Sequence, residues 1–166
     1  MKFIEPVELK RFRDVVPGEL FRVRWGGAPR LAIALEDEGR NHLVGDFAFQ
    51  NSDNSKAFPA ALQIEKSDAL VISYGREWVI DFTVGDAVPG NLGVPENVYA
   101  LILAPDGFRL RFHPTDIMGH ELLFDPIAAK IVASAQGETA IWQWSIWQSE
   151  TAKKNGKKPL YEAPQP

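Results

Sequence analysis

The sequence predicts a mainly β domain, an antiparallel sandwich or barrel assembled from hairpins, with an α+β arrangement as the alternative. Three observations carry this. Apolar and polar residues alternate with a period of two in stretches such as ELFRVRW and FRLRFH, which is the pattern of a half-buried strand. Short apolar runs are separated by clusters of Gly, Pro, Asp and Asn, the residues that turns require. Ten Phe, five Trp and three Tyr in a chain that is 45% hydrophobic supply enough bulk for a real core in 166 residues, the size of one domain.

The elements follow in order. PVELKRFRDV, residues 6–15, reads as a short N-terminal helix: Pro6 suits a first turn, Leu9 and Phe12 are spaced i, i+3, and Pro17-Gly18 ends it. From Glu19 the period becomes two, with Phe21, Val23 and Trp25 on one face and Arg22 and Arg24 on the other. RLAIALE, the turn DEGR at 37–40 and NHLVGDFAF predict a hairpin. After the polar loop QNSDNSKAFP come ALQIE, then DALVISY and EWVIDFT, read as strands joined by a tight turn at Tyr74-Gly75-Arg76. The Gly/Pro-rich stretch 85–97 is read as a loop. VYALILA and FRLRFH flank Pro105-Asp106-Gly107, another hairpin signal.

Asp125-Pro126 resembles an N-cap followed by proline at the first helical position, and Gly137 resembles a stop. These signals predict a helix over residues 127–136, with a strand KIVASA as the competing reading. TAIWQWSIW then forms a late strand. The domain is expected to occupy 1–150, with 151–166 a basic, flexible tail. Strand, loop, strand, Asp/Gly turn, strand recurs over 19–49 and 77–113 and suggests a degenerate duplication.

Charge and composition bound the function. The formal net charge is −4, and four of the 18 basic residues lie in the tail, so the body is acidic. General nucleic-acid binding is therefore not expected. No cysteine is present, which removes disulfides and thiolate chemistry and fits a reducing, cytoplasmic location. No leader-like apolar run is visible at the N-terminus, and nothing approaches the roughly 18 apolar residues of a membrane-spanning helix, so no membrane role is expected.

Three groups of residues are candidates for a site. His113, Asp116, His120 and Glu121 fall within nine positions and have the donor chemistry of a metal site, although their spacing matches no metal motif. Arg22 and Arg24 on one strand and Arg109 and Arg111 on another would form a cationic, anion-binding face if the strands were neighbours. Trp142, Trp144 and Trp147 lie within six positions. Trp142 and Trp144 share a face with Ile146 and are read as core, which leaves Trp147 as a ligand or interface anchor. No catalytic, phosphate-binding or dinucleotide-binding signature is present, and no cofactor is expected. The leading expectation is a non-enzymatic binding or assembly module. It would act on a protein partner, by self-association, or on a small anionic or carbohydrate ligand. A metal-assisted enzyme using the His113–His120 loop is the alternative, and carbohydrate or single-stranded nucleic-acid binding the second.

Overall fold

The computed structural model describes residues 7–25, 27–49, 58–82, 88–89, 101–115, 121–133 and 139–164. The strands are β1 Glu8–Arg11, β2 Leu20–Trp25, β3 Ala28–Glu38, β4 Asn41–Phe49, β5 Phe58–Glu65, β6 Leu70–Ser73, β7 Val79–Phe82, β8 Val88–Pro89, β9 Leu101–Ala104, β10 Gly107–Pro114, β11 Leu122–Asp125, β12 Lys130–Val132, β13 Thr139–Ile141, β14 Trp144–Trp147 and β15 Tyr161–Glu162. A single 3₁₀ turn, Phe12–Asp14, follows β1, and among the described residues the one α-helix is α1, Glu150–Lys154. The protein is mainly β, with sheets of antiparallel strands, and among the described residues no barrel closes.

The first layer runs β1-β6-β2-β3-β4-β5, all antiparallel. β10 then turns the sheet over. Its Gly107–Arg109 segment pairs with β9, Leu110–Phe112 with β11, and His113–Pro114 in parallel with Ala60–Ala61 of β5. β13, β8 and β12 extend this second layer, and a separate sheet β15-β14-β7 completes it.

Between the layers lies the main core. Leu20, Ile33, Leu35 and Phe47 from the first layer meet Leu101, Leu110, Phe112, Phe124, Ile141, Trp144 and Ile146 from the second. Gly45 lies directly under this contact, because a Cβ there would stand 2.5 Å from Cε1 and Cζ of Phe112. The Phe112 ring is fully buried and packs on Phe47 at 5.4 Å, so it has nowhere to retreat. The other face of the first layer is also covered: Phe12 and Val15 fold over Phe21, Val23, Ala34 and Val44. Beneath this cover His42 is fully buried. Its Nε2–H donates to the Phe12 carbonyl at 3.1 Å, and desolvation, aided by the Lys66 charge, holds its pKa below 6.5.

Several expectations are corrected. The helix expected over 6–15 is not formed by the described residues 7–15: Leu9 and Phe12 point to opposite sides, Leu9 outward on a strand and Phe12 into the second core. The helix expected at 127–136 is a turn followed by β12, while residues 134–138 lie outside the described residues. The Asp125 cap exists, with Oδ1 accepting from Ile127 N (2.9 Å) and Ala128 N (3.0 Å), but it caps a turn that leads straight into the β11–β12 ladder.

DALVISY and EWVIDFT do not form a hairpin, since β6 joins β1 and β2 while β7 joins β14. The two stretches of the suggested repeat also pair differently: β2 pairs with β3, whereas its counterpart β7 lies in the other sheet. TAIWQWSIW is two strands in two sheets, broken at Trp142-Gln143. Nor is the described part of 151–166 a loose tail. Ser149 caps α1 by accepting from Ala152 N (3.1 Å), Ala152 and Ala163 are buried, and β15 pairs with β14.

Gly45→Ala is expected to cost about 1–3 kcal/mol through overpacking, read as a lowered denaturation midpoint. Phe112→Leu in the same chain should return part of that loss. Neutral behaviour of Gly45→Ala alone would contradict the close approach.

Candidate functional site

At one end of the first layer, β1 is an edge strand, and among the described residues no strand pairs with its outer side. Its residues alternate. Leu9 shares a face with its cross-strand partner Ile72 and with Arg22 of β2, and Leu70 sits opposite Arg11. Leu9 is 66% exposed, Leu70 60% and Ile72 42%, so three large apolar side chains stand on one surface beside exposed guanidiniums. Such a contiguous apolar patch at a sheet edge is unusual.

On the opposite face the edge is anchored by a buried carboxylate. Glu19 accepts from Lys10 Nζ of β1 at 2.9 Å, from Val16 N at 3.0 Å and, in a short bond, from Ser73 Oγ of β6. Lys10, Glu19, Ser73, Tyr74, Arg76 and Gln148 are among the residues lining a cavity of about 590 Å³ there. One acid thus ties together β1, the start of β2 and the end of β6.

The arginines expected to act together are separated. β3, β4 and β5 stand between β2 and β10 in the sheet order. Arg22 and Arg24 are exposed; Arg24 Nε donates to the Gly27 carbonyl at 3.0 Å, and Arg22 has no ion pair among the described residues. Arg109 and Arg111 are not outward but buried. Arg109 pairs with Asp106 at 2.7 Å and Asp125 at 3.4 Å, and Arg111 with Glu121 in a short contact. They lie on the β10 face opposite Leu110 and Phe112, against the cross-strand neighbours Ile102 and Leu123. Burial there is possible because each guanidinium has a carboxylate.

His113 is half-buried, with burial first and the Arg111 charge second holding its pKa below 6.5. Asp116 and His120 of this set lie outside the described residues, and Glu121 is engaged by Arg111. Among the described residues no group of three His, Asp or Glu is placed to hold a metal ion. Trp144 is core. Trp142 is half-buried at the break between β13 and β14. Trp147 is also half-buried, on the small sheet's other face, and its Nε1–H donates to Ser145 Oγ at 2.8 Å.

Comparison with family models, curated protein sequences and solved structures returns no match. The chemistry therefore rests on this chain's own residues. Among the described residues no helix is long and apolar enough to cross a membrane.

The β1–β6 edge is hidden in the sequence because the i, i+3 spacing of Leu9 and Phe12 predicts a helix there. The alternation Glu8-Leu9-Lys10-Arg11 is too short to stand out by period alone. Glu19→Ala is expected to cost ~1–3 kcal/mol by leaving its buried donors unmatched. Hydrogen exchange should accelerate first in the β1–β6 ladder. Equal acceleration over β3 and β4 would contradict a role specific to this edge.

Proposed function

We propose that the protein is a non-enzymatic assembly module that self-associates through β1. The observation that carries this reading is the apolar strip of Leu9, Leu70 and Ile72 beside an edge strand with no outer partner among the described residues. Charged residues on an edge ordinarily oppose such pairing. Here their order favours a second copy. If two β1 strands run antiparallel about Leu9, Leu9 faces Leu9, Glu8 faces Lys10, and Val7 faces Arg11. Opposite charges then meet across the strands on one face, and on the other Leu9 meets its own copy, flanked on each side by Val7 opposite Arg11.

A four-residue strand with a flanking apolar strip buries less than a standard interface. The association is therefore a weak, concentration-dependent one. The lack of cysteine supports a reducing, cytoplasmic setting.

Light scattering after size exclusion tests the reading over a range of protein concentration. The wild-type chain should rise toward the dimer mass, while Leu9→Lys should remain monomeric with an unchanged denaturation midpoint, since Leu9 is exposed. A wild-type chain that stays monomeric at its highest attainable concentration overturns the reading.

A further inference from the structure

A second surface, which shares Arg76 with the cavity beside Glu19 but none of the apolar strip of Leu9, Leu70 and Ile72, has the form of a small-molecule site. Between the small sheet and the β11–β12 turn lies a groove of about 380 Å³, walled by Trp78, Ile80, Phe108, Pro126 and Ile127 with Arg76 at its rim. That volume falls at the small end of the range for ligand pockets and suits a molecule of one or two rings.

The groove is built rather than incidental. Trp78 is held in orientation by its Nε1–H, which donates to the Gly18 carbonyl at 3.1 Å. Gly18 takes φ +83°, and a Cβ there would meet Ala129 Cβ at 2.9 Å and Arg76 Nε at 3.2 Å, so the turn and the arginine converge on it. Ala129 itself has φ 51°, the one non-glycine residue with positive φ among the described residues, a conformation kept only where the surroundings impose it. On its other side the turn is fixed by Asp125, which caps Ile127 N and Ala128 N and also meets Arg109 at 3.4 Å.

The result of this bracing is that Ile127 is held 75% exposed in a groove it shares with two aromatic rings. A single surface isoleucine needs no explanation. Here, though, the isoleucine completes an aromatic wall beside an exposed guanidinium that has no ion pair among the described residues. Rings offer stacking area, and a guanidinium fork matches one carboxylate in a bidentate pair.

We infer that this groove binds a small aromatic carboxylate, its rings between Trp78, Phe108 and Ile127 and its carboxylate on Arg76. Titration of the full chain with 2-naphthoate, followed by amide and indole N–H chemical shifts, tests it against the neutral 2-naphthamide. Naphthoate should give saturable shifts at the Trp78 indole N–H and the Ile127 amide, and the amide should bind roughly tenfold more weakly, the value of one charge-assisted pair. Arg76→Gln should bring naphthoate down to the level of the amide, and Ile127→Ser should weaken both. Both replaced side chains are exposed, and a dispersed spectrum establishes that each variant is folded. No saturable shift at Trp78 and Ile127, equal affinity for acid and amide, or full retention of naphthoate binding by Arg76→Gln would each overturn the assignment.

Discussion

The structure depends on one close approach, the Phe112 ring resting on Gly45. A sheet as long as β1-β6-β2-β3-β4-β5 needs a second layer to bury its inner face, and the chain supplies one by folding β10 over β4. Only a residue without a side chain leaves room for a phenylalanine ring at that distance from a strand backbone. Once Phe112 is seated, Phe47 packs at its side at 5.4 Å, and Trp144 and Tyr161 pack in turn on Phe47 at 6.4 and 5.0 Å. The aromatic contacts therefore run from the first layer into the small sheet, and they explain why β14 and β15 are part of the fold rather than an appendage.

Polar groups do the complementary work at the margins. Asp46 is buried at a bulge of β4, where Oδ2 receives Arg30 at 2.8 Å and Oδ1 receives Ala48 N at 2.9 Å. Arg109 and Arg111 are similarly enclosed with carboxylates beside β10. Removing one member of such a pair leaves a buried charge without compensation, so these groups specify geometry more than they add stability. Arg22 and Arg76 stand in contrast to these enclosed guanidiniums: both are exposed, neither has an ion pair among the described residues, and each stands beside exposed apolar surface, Ile72 for the first and Ile127 for the second.

The class of the fold was legible because hairpins are local. The β3–β4 turn is set by Asp37, whose Oδ1 accepts from Gly39 N at 3.0 Å, and by Gly39 at φ +73°. The β9–β10 turn is set by Asp106-Gly107. Long-range pairings were not legible. Nothing local says that β6 prefers β1 and β2 to β7, or that the tryptophan stretch changes sheets at Gln143. A capping signal predicts a bond but not the element that follows it: Asp125 caps a turn, while Ser149 caps a helix in a stretch whose lysines suggest a tail. For the site the limits were similar. Arg109 and Arg111 alternate like surface residues and are buried by partners that no spacing rule reveals. The edge patch was concealed by the helical spacing of Leu9 and Phe12, and the groove joins residues from Arg76 to Ile127 that only the folded chain assembles.

The contact of Phe112 with Gly45 can be observed directly by proton NMR of the full chain. A methylene under an aromatic face should have its Hα resonances displaced well upfield, with strong cross-relaxation to the Phe112 ring protons. That result would establish that β10 closes over β4. Gly45 Hα resonances at ordinary strand positions, with the Phe112 ring in cross-relaxation with other residues only, would contradict the closure on which the account of both surfaces rests.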